Sequence, residues 1–333
     1  MKAFILAAGF GTRLWPLTED RTKAALPVLN RPLISYSVAY LASHGFREII
    51  VNLHHQPESI RRALGDGSRF GVSLSYSFEE EILGTSGALD PLRDALSGDD
   101  FVVMNGKVVT SIDLGAAVAA HKQHDALATL VLKENPKLEH FSMVEIDERG
   151  CITRFAGFPE KAVSEAATAS FAGSGLLARA EAVPLMFTGI QVLSPRIFEY
   201  IPRSRFSHST IDVYPRAIEA GEPIVAYISD ADWFEMSTLG RYLEANLRFM
   251  RKEGRSVTAG QGCIVEDGAM VEDSVLWDRV VVERGARVNQ AVLADGVRIP
   301  RSAVIERAVV VRREMVSDVE RGEFVGDNLI VQI

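Results

Sequence analysis

From residue 264 to residue 311 an aliphatic side chain returns at nearly every sixth position: Ile264, Met270, Leu276, Val282 and Val288, then, after one five-residue step, Leu293, Ile299, Ile305 and Val311. Neither the 3.6-residue period of a helix nor the two-residue period of an ordinary strand produces that spacing. A short strand plus a turn does, and three such units close a triangular coil. The segment therefore predicts a left-handed β-helix of roughly two and a half to three coils, each hexad sending one aliphatic residue inward. Val265, Val271, Val275 and Val281, with Gly262, Gly268, Gly285 and Gly296, fill the positions between. The competing reading is a set of irregular sandwich strands. A solenoid without a catalytic constellation is expected to mediate oligomer contacts or carry a regulatory site.

Upstream the pattern changes. Short apolar runs at residues 3–7, 48–53, 72–77, 101–104, 128–132, 186–193 and 224–228 alternate with amphipathic stretches at 34–43, 57–64, 86–96 and 114–121. Such alternation predicts a doubly wound α/β domain over residues 1–250, with a mostly parallel sheet and helices on both faces. After a last helix near 239–250, the polar run Arg251-Lys252-Glu253-Gly254-Arg255-Ser256 predicts a linker at 251–257, leaving 258–333 for the β-helix and a C-terminal tail. A chain of 333 residues that is 47% apolar and 24% charged has material for two cores. Its net charge of −8, with no basic block, argues against a nucleic-acid or anionic-membrane partner. Cys151 and Cys263, the two cysteines, stand too far apart for a C-x-x-C site, which fits a reducing compartment. The apolar start is too short for a secretion signal, and no run approaches the ~18 apolar residues of a membrane span. A cytoplasmic location is expected.

The chemistry concentrates at the start. Leu6-Ala7-Ala8-Gly9-Phe10-Gly11-Thr12-Arg13-Leu14-Trp15-Pro16-Leu17-Thr18 carries an apolar strand into a glycine loop, followed by Lys23, Pro27 and Val28. Glycine has no Cβ to keep a phosphate from backbone N–H groups, and Arg13 and Lys23 add positive charge. A lone Gly-x-Gly would be weak, because such a pair after a strand is often only a tight turn. The whole string closely resembles the signature of sugar-1-phosphate nucleotidyltransferases, L-A-A-G-x-G-T-R-L-x-P-L-T then K-x-x-x-P-V. Leu83-Gly84-Thr85-Ser86-Gly87-Ala88-Leu89 resembles the turn that takes the nucleotide base, in the version commonest among mannose-1-phosphate guanylyltransferases, and a C-terminal hexapeptide solenoid is usual in many members.

The resemblance implies attack of a hexose 1-phosphate on the α-phosphorus of an NTP, release of pyrophosphate and formation of an NDP-sugar. It implies nucleotide contacts at Leu6, Ala8, Gly9, Gly11, Thr12, Gly84, Thr85 and Asn105, phosphate neutralisation by Arg13 and Lys23, and a sugar side at Ser142, Phe158, Thr188 and Gly189. It also implies Mg²⁺ held by two carboxylates, and here the sequence departs. The family's N-G-D reads Asn105-Gly106-Lys107, and its W-x-D-[IV]-G-T reads Trp233-Phe234-Glu235-Met236-Ser237-Thr238. At 4 Å and an effective dielectric of 20, unit charges interact by about 4 kcal/mol, so exchanging Asp for Lys beside a divalent ion swings the site by on the order of 10 kcal/mol. Glu235 is left as a weakened metal ligand. Phe158 stands where the family's sugar-phosphate cation is expected, with Lys161 nearby, and Phe141-Ser142 replaces an aromatic-Gly pair.

Two functions follow as expectations. One is a transferase in which the Lys107 ammonium takes the metal's position against the α-phosphate. The other is a silenced paralogue that binds an NTP or NDP-sugar and regulates or scaffolds an active relative, as a homo-oligomer or hetero-oligomer. His54-His55 and the His121/His124 pair lack a third ligand, and the latter reads as a solvated helix face. Asp113 reads as a helix N-cap, Glu79 or Glu81 as a boundary of the sugar side, and 162–182 as a flexible loop.

Overall fold

The computed structural model describes residues 1–157 and 183–333; Phe158, Lys161 and the 162–182 stretch lie outside the described residues. The apolar run Lys2–Leu6 (β1) pairs in parallel with Glu48–Leu53 (β2) and Phe101–Asn105 (β4), and β2 pairs in parallel with Ser73–Phe78 (β3). Parallel pairing brings Leu6, Leu53, Phe78 and Asn105, the last residues of these strands, to one edge, which is where α/β sheets bind ligands. Val108–Thr110 (β5) forms a small ribbon after β4. Beyond β4 the sheet is mixed. Leu185–Leu193 (β9) runs antiparallel to β4, to Ala128–Glu134 (β6) and to Met143–Ile146 (β7), with Ile152–Gly157 (β8) outside β7 and Ile224–Ile228 (β10) outside β6. Because Ile190 pairs with Met104, the reversed β9 delivers Gly189 to the same ligand edge.

Alternation along β1 divides the core. Ala3 and Ile5 face Ile34, Val38 and Leu41 of Leu33–Ser43 (α1), and Ile60 and Leu64 of Pro57–Leu64 (α2), while Phe4 faces the opposite layer with Phe101, Leu89 and Tyr214. Both faces are covered, as a doubly wound sheet requires. The stretch 86–96 is not one helix: it divides into Gly84–Gly87 (α3), a 3₁₀ turn Asp90–Leu92 and a single turn Arg93–Leu96. Pro91 lacks an N–H and disfavours helical backbone in the residue before it. Asp113 caps Leu114–Gln123 (α4), its Oδ1 accepting from Ala116 N at 3.0 Å. No helix among the described residues is long and apolar enough to cross a membrane.

Leu239–Lys252 (α5) begins at Thr238, whose hydroxyl accepts from Arg241 N. Its apolar face, with Tyr242, Leu243, Leu247 and Met250, packs against Val275, Leu276 and Trp277 of the C-terminal unit, so one core runs through helix and solenoid. That unit has three columns of short parallel strands, as a hexapeptide β-helix requires, and closes with the antiparallel strands Asn328–Gln332 and Glu323–Val325.

From Leu276 to Ile305 the inward positions are those read in the sequence, and the register departs from that reading only at the two ends. Partners in successive coils are Val265, Val282 and Ile299 in one column, Val271, Val288 and Ile305 in the next, and Ala259, Leu276, Leu293 and Val310 in the third. The inward steps are thus six, six and five residues, and Val265, Val271 and Val310 replace Ile264, Met270 and Val311 as the inward positions. Adjacent positions in each pair are both aliphatic, so hydrophobicity alone does not fix the phase, whereas a slip of one residue reverses every side chain. Val311 is still buried, against Leu329 of the closing strand, while in the first coil Ile264, Val265 and Met270 are all about half exposed, so there the strand register and not burial assigns the inward column. Val288→Asp is expected to cost roughly 3–5 kcal/mol in urea unfolding and Met270→Asp less than about 0.5. Equal losses would contradict the register.

Candidate functional site

At the ligand edge the first loop is held by side chains from two other strands. Asn52, at the end of β2, accepts Ala7 N and Ala8 N on its Oδ1 at 2.5 and 3.2 Å. Its amide donates to Glu79 Oε1 at 2.6 Å, and Glu79 Oε2 accepts Leu83 N at 2.9 Å, just ahead of α3. Asn52 and Glu79 are both buried. One chain of hydrogen bonds therefore fixes the signature loop and the α3 turn relative to each other. Asn52→Ala would leave buried N–H groups and a carboxylate oxygen without partners, a loss of about 2–3 kcal/mol in denaturant unfolding; a loss under about 0.5 would show that these bonds do not hold the loop.

Two glycines are required by close approach. Gly11 has φ +75, and a Cβ there would lie 2.9 Å from Lys23 Cβ; its absence lets the half-buried Lys23 come up under the loop. Gly84 has φ +82, and a Cβ there would strike the backbone of Ser207. Segment 205–209 accordingly seats on α3: Ser207 N donates to Leu83 O at 3.0 Å, Ser86 N to Ser207 O at 3.1 Å, and Ser209 N to Thr85 Oγ1 at 3.0 Å.

Lys107 occupies the turn between β4 and β5, pinned by Gly106 N donating to Leu6 O at 2.9 Å. Trp233–Glu235 (β11) pairs antiparallel with β5, Met236 N donates to Lys107 O, and the Lys107 ammonium forms an ion pair with Glu235 Oε1. The Glu235 side chain is 2% exposed, and its Oε2 is buried with no hydrogen-bond partner among the described residues. Burial pushes the Glu235 carboxyl up, but the Lys107 ammonium, together with Ser237 and the charge of Lys23, holds it below the ordinary carboxylate value. Lys23 is driven the other way. Burial, then the like charges of Lys107 and Arg13, push its ammonium down to about 7, with Glu235 opposing.

These elements enclose a cavity of about 210 Å³ that brings together Leu6, Ala8, Gly9, Lys23, Gly84, Thr85, Asn105 and Lys107 of the residues named from the sequence. Asn52, from the 51–55 stretch that resembles the family's second core strand, also lines it, as do Phe206 and His208, which no sequence signal marked; of Glu79 and Glu81, the alternatives for the sugar side, Glu79 lines it. Gly11, Thr12 and Arg13 do not line the cavity, Thr12 and Arg13 being exposed, and Glu235 is joined to it through Lys107. Gly189 lies against the Asn105 side chain, while the Thr188 hydroxyl is buried and spent on Val131 O at 2.7 Å. Ser142 lines a different cavity, with Thr153, Phe155 and Ile211. His121 is not on a solvated face: it is buried, with Nδ1 3.0 Å from the Thr129 hydroxyl.

The donor set does not suit the magnesium ion that the resemblance implies. One ligand position holds an ammonium, which already neutralises the other, and no group of three His, Cys, Asp or Glu capable of holding a metal occurs among the described residues. At this position an octahedral cation with short, rigid bonds to oxygen would find one carboxylate, already paired with an ammonium.

The profile of the nucleotidyl transferase family matches residues 2–252, and that of the GlmU-like C-terminal hexapeptide matches residues 248–329. A UTP–glucose-1-phosphate uridylyltransferase of Synechocystis is 31% identical over 84% of this chain and 71% of its own. A mannose-1-phosphate guanylyltransferase of Mycobacterium tuberculosis is 28% identical over 82% of this chain and 72% of its own. In structure the chain is similar to a Bacillus anthracis protein solved with sucrose and named for glucose-1-phosphate thymidylyltransferase activity, at TM-score 0.60 and 23% identity, covering 74% of this chain and 94% of that one. That likeness speaks to the fold.

Proposed function

The chain belongs to the nucleotidyl transferase family, and on that premise we propose that its cavity binds an NTP or NDP-sugar while the Lys107–Glu235 pair stands where relatives hold a divalent ion, so that Mg²⁺-driven transfer is blocked. The observation carrying this reading is the ion pair itself, which satisfies with one ammonium the carboxylate that would ligate the metal. Lys23, Lys107 and the open backbone at Ala8 and Gly9 are what phosphate oxygens would meet in the cavity. The names of the relatives supply the substrate class, a hexose 1-phosphate with an NTP; mannose and guanine are the pair suggested by the turn at residues 83–89. A binding protein of this kind would act through an active relative, with the solenoid as the contact.

A second reading has one observation in its favour: Lys23 and Lys107 both face the cavity, so an ammonium could neutralise the α-phosphate during transfer without a metal. Equilibrium dialysis with GTP, UTP and GDP-mannose in EDTA, beside assays for NDP-sugar formation from mannose 1-phosphate and glucose 1-phosphate, separates the two. Metal-free binding without product supports the proposal. Product formed in EDTA supports the second reading, and failure of every nucleotide to bind refutes both.

A further inference from the structure

At the far end of the solenoid, between its last coil and the closing strands, lies a cavity of about 710 Å³. Its wall carries three guanidinium groups, Arg298, Arg312 and Arg313, with the ring of Phe324. Arg313 lies over Phe324, 4.2 Å from the ring centroid, and has no carboxylate partner among the described residues. Arg312 Nε donates to Asp295 O at 3.1 Å, which fixes the guanidinium, while its ion pair is with Glu314, an exposed carboxylate. Arg298 pairs with Glu283 at 2.6 Å, again near solvent. Glu314 and Asp327 also line the wall, so that with Glu283 the three arginines are balanced in charge, Arg313 alone having no carboxylate partner among the described residues. Exposed ion pairs contribute little, so an incoming phosphate exchanges them at small cost, and planar guanidinium groups match phosphate oxygens two at a time. An aromatic ring beside Arg adds a stacking surface.

The same wall is tied to the first site. Val316, Ser317, Val319 and Phe324 belong to one segment, and between them Arg321 reaches back across the molecule, Nη2 donating to Trp15 O at 2.7 Å and to Arg13 O at 3.4 Å. The segment is at once a wall of the distal cavity and a strut under the signature loop, on which Arg13 adds its charge to the field at Lys23.

We propose that the cavity walled by Arg298, Arg312, Arg313 and Phe324 binds a second ligand of the nucleoside-diphosphate class, phosphates on the guanidinium groups and base on Phe324, and that Arg321 couples its occupancy to the signature loop. Coupling of this kind is reciprocal, and each site changes the other's affinity by the same factor.

Calorimetric titration of the full chain with GDP tests it, with mannose 1-phosphate and inorganic phosphate as comparison probes. GDP is expected to fill two sites per chain. Arg312→Gln and Arg313→Ala each weaken one of them at least tenfold, with melting curves unchanged, and Arg313→Lys falls between. Lys23→Met weakens only the other. Arg321→Ala leaves both sites filled but removes the roughly fivefold effect of one on the other. A single site indifferent to Arg312 and Arg313, or a second site that inorganic phosphate fills as tightly as GDP, overturns the proposal. A single site that is sensitive to these arginines would instead refute the reading of the first cavity and leave this one standing.

Discussion

Lys107→Asp is expected to turn a protein indifferent to magnesium into one whose stability depends on it. In the wild type a single ammonium neutralises Glu235, whose side chain is almost wholly buried. Removing one partner of a buried pair leaves the other charge uncompensated, typically a loss of about 3–5 kcal/mol. The Asp variant adds a second carboxylate, so in EDTA the loss should lie at the upper end of that range. It also recreates a two-carboxylate set, and a ligand that binds only the folded state restores stability in proportion to RT ln(1 + [L]/Kd), or about 2.7 kcal/mol at a hundredfold excess over Kd. Lys107→Met is the control: it removes the ammonium without supplying a ligand, and should lose stability with no recovery. Urea unfolding of the three proteins with and without Mg²⁺ gives the answer. An equal magnesium effect on the wild type, or none on the Asp variant, would mean that residue 107 does not sit in the metal's place.

The second large effect is on pH. Lys23 has its ammonium pushed from 10.5 to about 7 by burial and by the like charges of Lys107 and Arg13. Between those values the unfolded chain holds a proton that the folded chain has released, so this group's contribution makes stability rise with pH from about 7 to 10.5. Nucleotide binding reverses the balance. Phosphate oxygens set against Lys23 favour its charged form, and the complex takes up a proton on forming. Affinity for GDP-mannose, whose diphosphate does not titrate in this range, should be level below pH 7. Above it the affinity should fall by a factor approaching ten per pH unit. Titration at pH 8 in buffers of different ionisation enthalpy should show uptake approaching one proton. Lys23→Met should bind more weakly at pH 6 and show a level profile. A level profile in the wild type would contradict the placement of Lys23 beside the phosphates.

What can be read in the sequence depends on the range of each interaction. The loop at 9–23 was legible because its chemistry is local: backbone groups freed by glycine, and a lysine a dozen residues on. The solenoid was legible as a period, and in phase from Leu276 to Ile305, but not at its ends, since Ile264/Val265, Met270/Val271 and Val310/Val311 offer two aliphatic residues where only one lies in the inward column. The exchange of Asp for Lys at 107 could be seen in the sequence, yet its consequence could not. Lys107 and Glu235 are 128 positions apart, and only the antiparallel pairing of β5 with β11 brings ammonium to carboxylate. Asn52 lies in the 51–55 stretch that resembles the family's second core strand, though nothing in it marks a cavity residue, and Phe206 and His208 reach the cavity from a loop whose sequence carries no motif. Arg321 is the extreme case, its bond to Trp15 O spanning 306 positions.

The most direct test of the central claim, that an ion pair has taken the place of a metal, is pyrophosphate release from GTP and mannose 1-phosphate as Mg²⁺ is raised from none to millimolar. A level trace at background is expected for the wild type. Release that climbs with magnesium and disappears in Glu235→Gln would contradict the claim.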